Sequence, residues 1–424
     1  MKIKQSLIEQ QNEARDYVNS PDLISRESLP ELEEMLSGRL ITIIMGMRRT
    51  GKSTLALQFL KNKKFLYVNF DDEVLGQVKS TELNSVLETG LSLEPNIEFL
   101  FFDEIQNVDN WELFVNRLAR QKYKIIISGS NSRLLSSELA SHLTGRHLSL
   151  ELFPFSFREF LILKKIDFKK EHLTTTERAE RLYYFNQYIK IGGLPQVVTG
   201  LQTDRLVKNY LRELFDKIVT RDIVQRRKVK NVKVLKDLSL LALSLYSSQF
   251  TYQSLRKACS ISSVSTVKNY IDYLQESYLI FCLEPFSFKV KERISLPKKF
   301  YTIDLALTEA VLSSSTGDLG KKLENIVFIE LRRRGHEIYY IRDVAYEVDF
   351  AIKEGMKITT LIQVAWSISN AKTRSRELSA LVKAAVEFKT NILYIITENE
   401  EELIKIDEFE ISVVPVWKWL LSYK

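Results

Sequence analysis

Along the first third of the chain, apolar residues fall in short unbroken runs, each closed by small or charged residues. Ile41-Thr42-Ile43-Ile44-Met45 ends at Gly46, and Phe65-Leu66-Tyr67-Val68-Asn69-Phe70 ends at two aspartates. Phe99-Leu100-Phe101-Phe102 ends at Asp103-Glu104, and Ile125-Ile126-Ile127 at Ser128-Gly129-Ser130-Asn131. Unbroken runs of this length predict strands buried on both faces, as in a parallel sheet with helices between its strands. The stretch STLALQFLKN after the first run has helical spacing and supplies such a helix.

After Pro154 the pattern becomes helical. Residues 156–190 contain neither Gly nor Pro until Gly192-Gly193-Leu194-Pro195 breaks the run, and 203–228 is again helical and charged. Three amphipathic stretches follow, VKVLKDLSLLALSLYSS, TYQSLRKACSI and SSVSTVKNYIDYLQESYL, and then the strand LIFCLEPF. Three helices and a strand are the plan of a winged helix. Its third helix is the expected DNA reader, with Ser263, Ser265, Lys268 and Asn269 near the solvent-facing N-terminal end. Such modules also serve as protein-interaction surfaces. From 318 the order is helix, three strands, helix, strand: DLGKKLENIVFIELRRRG, EIYYIRD, EVDFAIKEG, ITTLIQVAWS, SNAKTRSRELSALVKAAVEFK and NILYIIT, the last strand parallel to its partner.

The first run opens into chemistry. Gly46-Met47-Arg48-Arg49-Thr50-Gly51-Lys52-Ser53 fits G-x-x-x-x-G-K-S/T and continues into Thr54. Glycines at that spacing let successive backbone N–H groups turn onto a phosphate. Lys52 then reaches the β- and γ-phosphates, and the Ser53 hydroxyl can ligate Mg²⁺. A helix N-terminus behind the loop favours the same anion. About 50 residues on, Asp103 is placed to hold Mg²⁺ through water and Glu104 to polarise the attacking water. Ser130, with Asn131 close behind, is the choice for sensing the γ-phosphate; plain turn residues are the other reading. Leu143-Thr144-Gly145-Arg146 offers an arginine that either reaches a neighbouring subunit's phosphate or is a surface or interdomain residue.

The order GMRRTGKST, FLYVNFDDE, FLFFDEIQNVDNW, IIISGSNSRLL, LTGRHLSLELFPFSFREF and GGLPQVV resembles a family of prokaryotic AAA-type ATP-binding proteins. In that family the C-terminal part is a degenerate restriction-endonuclease-like (DUF4143-type) domain. The resemblance runs over nearly the whole chain and is most specific from Gly46 to Phe160. It implies an ATPase core, a helical lid, a winged-helix module and a nuclease-like domain.

The helix and strand order from 318 is also the core order of PD-(D/E)xK nucleases, where Glu324 and Asp349 stand at the metal-binding carboxylate positions. The third strand departs from the pattern. Active members carry Glu/Asp-x-Lys there, but this chain reads Gln363-Val364-Ala365, which brings neither the second charge nor the ammonium. Lys372, early in the next helix, is the one candidate for a substitute lysine. Cleavage is therefore not expected.

Composition adds boundaries. A chain of 424 residues suggests two to four domains, and 45% hydrophobic with 27% charged residues is ordinary for a globular protein. The N-terminal stretch MKIKQSLIEQQNEARD has no apolar core of a secretory signal, and Leu238 to Tyr246 falls far short of the ~20 residues that span a bilayer. Cys259 and Cys282 are the two cysteines, too few for a disulfide framework or a zinc cluster. A cytoplasmic location without membrane contact is expected. The net charge of +7 is mild, but residues 221–234 hold six Lys/Arg against one Asp, and 288–299 hold five against one Glu. Two basic blocks flanking one module suggest a polyanion.

The expected architecture is α/β. A P-loop AAA-type ATPase domain with a parallel sheet occupies 1–153, a helical lid 154–230, a winged helix 231–299 and a PD-(D/E)xK-like α/β domain 300–424. The expected function is Mg²⁺-dependent ATP binding and hydrolysis coupled to a DNA-contacting C-terminal half, with homo-oligomerisation possible. An ATP-gated scaffold that binds protein through the winged helix or C-terminal domain is the alternative, and an ATP-dependent nuclease a second. A small-molecule kinase is disfavoured by the long C-terminal half.

Overall fold

The computed structural model describes residues 2–20, 23–94, 96–121, 123–130, 145–170, 172–201, 203–312 and 318–422. The chain divides into two compact units, Met1–Phe155 and Ser156–Lys424.

The first unit is built on a five-stranded sheet of order β2-β3-β4-β1-β5. Its strands are β1 (Ile41–Met45), β2 (Phe65–Asn69), β3 (Phe99–Asp103), β4 (Lys124–Gly129) and β5 (His147–Glu151), and every pairing is parallel. The four apolar runs form β1 to β4. The edge strand β5 is additional; its HLSLE sequence is largely polar and its burial partial, so no unbroken run announces it. Ile44, Leu55, Phe101 and Ile126 are fully buried between the sheet and its helices. The register sets Asn69 beside Asp103 and Asp103 beside Ser128. Polar side chains thus collect at the carboxyl ends of the central strands, where ligands bind in open parallel sheets.

The helix α1 (Lys2–Val18) covers the outer edge of β2 with polar residues. Gln11 accepts from Tyr67 N (3.0 Å) and donates to Phe65 O (2.9 Å). Gln10 accepts from Asn69 N (2.9 Å) and donates to Asn69 O (3.2 Å). Two side-chain amides stand in for a sixth strand and satisfy an edge that would otherwise invite pairing.

The second unit holds two sheets. Helices Val232–Ser244, Tyr252–Ala258 and Val264–Glu276 accompany an antiparallel three-stranded sheet of order β6-β8-β7, made of β6 (Ser248–Phe250), β7 (Ile280–Leu283) and β8 (Lys298–Thr302). The six-stranded sheet has the order β13-β14-β12-β11-β10-β9. Its strands are β9 (Glu337–Arg342), β10 (Glu347–Glu354), β11 (Lys357–Val364), β12 (Ile392–Thr397), β13 (Glu402–Ile406) and β14 (Phe409–Pro415). Helix Leu319–Arg333 precedes β9, and helix Ala371–Phe388 carries the crossover from β11 to its parallel neighbour β12. That order follows the sequence reading, to which the β13–β14 pair and helix Val416–Leu421 are additions. The helical segment before 230 is interrupted. Helix Phe157–Leu163 is followed by helices Thr175–Ile191, Pro195–Gly200 and Asp204–Lys217, and a π-helical stretch spans Ile218–Gln225. Among the described residues no helix is long and apolar enough to cross a membrane, and both cysteines are free.

Candidate nucleotide site

Helix α2 (Leu29–Met35) precedes β1, and the loop between β1 and helix α3 (Lys52–Leu60) is shaped by backbone that only certain residues tolerate. Gly46 has φ 152°, and a Cβ there would meet Leu152 O at 2.2 Å, so no larger residue fits. Gly51, the N-cap of α3, sits in the left-handed region at φ 95°. Arg49 takes φ 71° without being glycine. Lys52 is 6% exposed, and its ammonium donates to Gly46 O (3.1 Å) and Met47 O (3.0 Å). The cation is therefore folded back over the loop's own carbonyls. Ser53 and Thr54 follow in the first turn of α3, where Thr54 Oγ1 meets the Tyr17 hydroxyl at 3.0 Å.

Contacts that no motif announced hold this loop. The buried Arg26 guanidinium donates to Thr50 O and Phe153 O, both at 2.7 Å, and lies over the Phe155 ring. Thr50 closes the turn by donating to Met47 O at 2.9 Å. Arg48 faces Asp71 at 3.6 Å. A lone arginine in an irregular segment carries no sequence signal for such a role.

The acid pair sits at the end of β3. Asp103 is 4% exposed; Tyr67 OH donates to its Oδ2 at 3.0 Å and Ser128 Oγ donates to Oδ1. Burial first, then the Asp103 carboxylate, pushes the Tyr67 phenol far above its usual range, so it remains a donor. Glu104 lies just past the strand in the left-handed region, φ 53°, which turns its side chain away from that of Asp103. Its Oε2 accepts from Ser130 Oγ at 3.3 Å and from Gln106 Nε2. Strand β4, between β1 and β3, and the residue after it thus supply a hydroxyl to each acid: Ser128 to Asp103 and Ser130 to Glu104. Asn131 lies outside the described residues.

These groups fit a nucleotide with its metal. The loop offers backbone N–H groups and an ammonium for phosphate, Ser53 a hydroxyl, and Asp103 a carboxylate oriented by two donors yet retaining acceptor capacity. Arg146 is not part of this cluster. It precedes β5, whose first residue His147 pairs with Ile41, so it stands at the end of the sheet away from the loop that follows Met45. There it is exposed and donates to Asn116 Oδ1 at 3.1 Å.

In the second unit, Ser265, Lys268 and Asn269 are exposed on helix Val264–Glu276. The Ser263 hydroxyl instead caps that helix, accepting from Thr266 N at 3.0 Å. The second basic block is less available than its sequence implied. Lys289 pairs with Glu292, Lys298 with Glu284, and Lys299 with buried carboxylates. Glu324 and Asp349 come together on one lysine. Gln363 points to the same place but is committed elsewhere: Oε1 accepts from Asp349 N (2.8 Å), and Nε2 donates to Glu347 O (2.9 Å) and Glu377 Oε2 (2.8 Å). The lysine that reaches Asp349 is Lys299. Lys372, the candidate substitute, is exposed with its backbone N–H on the Asn370 cap. Lys299 carries no sequence signal for this role, because it lies before Glu324 in the chain and within a basic block that suggests a polyanion partner.

Residues 38–161 match the family model of an AAA domain, and residues 182–318 that of a domain of unknown function, DUF8612. The chain is 40% identical over 410 residues to uncharacterized protein MJ1544 of Methanocaldococcus jannaschii, covering 93% of this chain and 91% of that one. It is 31% identical over 420 residues to an uncharacterized protein of Haemophilus influenzae, covering 95% and 100%. Among solved structures, the Walker-type ATPase PABY2304 of Pyrococcus abyssi aligns with 68% of this chain and 96% of its own, at 14% identity and a TM-score of 0.48.

Proposed function

The chain belongs to the family of these Methanocaldococcus and Haemophilus proteins, and we propose that its first unit binds ATP with Mg²⁺ and hydrolyses it. The observation that carries this reading is the buried Lys52 ammonium, held over the Gly46 and Met47 carbonyls of its own loop, within an AAA-domain match that also holds Asp103 and Glu104. The Gly46–Thr54 amides and Lys52 take the phosphates, Ser53 and Asp103 hold the metal, and Glu104 accepts a proton from the attacking water. Bound Mg²⁺ neutralises charge on the phosphates. Ser130, bonded to Glu104, couples that carboxylate to the γ-phosphate position. Arg146 serves a neighbouring copy in an assembly of like chains.

In this reading 1–153 is the ATPase domain, 154–230 the lid, 231–299 a winged helix and 300–424 a nuclease-like domain without cleavage. Hydrolysis in the cytoplasm switches a C-terminal half that contacts DNA through Ser265, Lys268 and Asn269, whose side chains are exposed on one helix. A second reading, an ATP-gated scaffold, draws on a different observation. Phe288 and Ile294 are 75% and 65% exposed within a basic block whose Lys289 and Lys298 are paired internally, a surface better suited to protein than to phosphate. ATP turnover measured with and without single- and double-stranded DNA separates them. Stimulation that falls with salt supports the DNA reading; turnover indifferent to DNA supports the scaffold; no turnover at all defeats the ATPase reading.

A further inference from the structure

Three carboxylates from two elements converge on one buried ammonium. Lys299 on β8 places Nζ 3.0 Å from Asp349 Oδ1, 2.9 Å from Glu347 Oε1 and 3.2 Å from Glu324 Oε1. Glu347 and Asp349 lie on β10 and Glu324 on helix Leu319–Arg333, so one side chain ties the small sheet to both. Lys299 is only 4% exposed. Each carboxylate also accepts a second donor, Glu324 on the same oxygen that Lys299 contacts and the other two on their second oxygens. Tyr301 OH donates to Glu324 Oε1 (2.6 Å), Val364 N to Asp349 Oδ2 (3.0 Å) and Gln249 Nε2 to Glu347 Oε2 (3.0 Å).

An ammonium has three N–H bonds and no acceptor, so three carboxylate oxygens saturate it. The oxygens stand at N–H···O distance, whereas Mg²⁺ draws its ligands in to about 2.0–2.1 Å and Ca²⁺ to about 2.3–2.6 Å. Among the described residues no group of three or more His, Cys, Asp or Glu is arranged to hold a metal ion. The cradle has the dimensions of an ammonium.

We propose that Lys299 is the resident cation of this cluster, filling the place that a divalent ion would need, and that it locks the β6-β8-β7 sheet to β10 and helix Leu319–Arg333. The cluster consequently takes no divalent metal. The proposal rests on these distances and requires neither the ATPase nor the nuclease-like reading. The electrostatics agree. Burial works against the Lys299 charge, but Asp349, Glu324 and Glu347 together hold its pKa well above the ordinary value. Burial, and then the charge on Asp349, pushes Glu324 up to about 7 against the pull of Lys299 and Tyr301.

The test is thermal unfolding of the nucleotide-free full chain in EDTA and in Mn²⁺. The wild type is expected to unfold at the same temperature in both. Lys299→Met, which leaves buried carboxylates uncompensated, is expected to lower Tm by roughly 5 °C or more, and Lys299→Arg by less. If Lys299→Met does not fold, the same change combined with Glu324→Gln and Asp349→Asn is expected to recover a folded protein, because the uncompensated charge has gone. Three results overturn the proposal. One is a wild-type Tm that Mn²⁺ raises and Asp349→Asn makes insensitive to Mn²⁺. The second is a Lys299→Met protein that unfolds at the wild-type temperature. The third is a combined variant that stays unfolded alongside Lys299→Met.

Discussion

The Tyr67 hydroxyl donates to Asp103 Oδ2 across 3.0 Å, from the neighbouring strand of the sheet and within its core. With Ser128 on Oδ1, the bond fixes the plane of a carboxylate that the proposed mechanism needs at a set angle to the metal. Tyr67→Phe keeps the ring and removes only the donor. A hydrogen bond to a charged group contributes about 1.5–3 kcal/mol, of which the share felt in the transition state is expected to lower kcat roughly tenfold. Steady-state ATPase assays beside nucleotide titrations check this. The expected result is a lower kcat with Kd for ATP nearly unchanged; a rise in Kd with kcat intact would assign Tyr67 to binding instead.

Lys52→Ala and Glu104→Gln are expected to separate binding from turnover. The first removes the ammonium proposed to meet phosphate and should abolish hydrolysis together with tight binding. The second keeps the shape and the Ser130 contact but loses the carboxylate's basicity, so ATP still binds while kcat drops by about 10²-fold or more. Normal turnover by Glu104→Gln would remove Glu104 from the catalytic role.

Strands β1 to β4 were legible because burial on both faces demands continuous apolar residues, and Phe99–Phe102 or Ile125–Ile127 can do little else. The phosphate loop was legible for a similar reason, since its glycines answer to backbone geometry. The helix α1 was not, because its buried face mixes Leu7, Ala14 and Val18 with Ser6, Gln10 and Gln11, polar residues that read as solvent-facing until the edge of β2 is seen beside them. Tyr67 and Ser128 looked like ordinary strand residues, and only the parallel register brings them to Asp103. Lys299 belonged by sequence to a basic block and by structure to an acidic cluster.

Arg26 shows what such hidden contacts should be worth. It joins the loop at Thr50 O to the segment after β5 at Phe153 O. Arg26→Met preserves much of the stem and takes a charged donor from two buried carbonyls, a loss of about 1–3 kcal/mol for each left unsatisfied. Tm should fall, and ATP affinity by about tenfold as the loop loosens. Calorimetric unfolding with and without nucleotide reads both, and a variant that loses stability but not affinity would show Arg26 to be scaffold alone.

Arg146 stands at the end of the sheet away from the loop, so any phosphate it serves belongs to another copy. Arg146→Ala should lower kcat with little change in Kd, and mixing it with Lys52→Ala should restore part of the activity, since each variant supplies what the other lacks. An arginine finger contributes about 10³–10⁵ in rate. A protein that is fully active as a monomer, by mass in solution with ATP, would end the proposal for this residue.

Metal-assisted phosphodiester cleavage needs clustered negative charge to hold the ion and a free cation to favour the attacking hydroxide. Here Gln363 brings no charge, and its amide is spent on Asp349 N, Glu347 O and Glu377. Ala365 brings no ammonium, and the lysine that is present bonds the carboxylates themselves. Each missing group costs at least about tenfold, by comparison with single losses in acid–base catalysis. Purified protein is therefore expected to leave supercoiled plasmid intact with Mg²⁺ or Mn²⁺, with and without ATP. Nicking that vanishes in Asp349→Ala would establish a working centre, with Lys299 rather than Lys372 as its lysine. Nicking that survives Asp349→Ala would identify a contaminant. The double change Gln363→Glu with Ala365→Lys adds both missing charges but leaves Lys299 in the cradle, so on the present geometry it should also fail to cut until Lys299 is replaced.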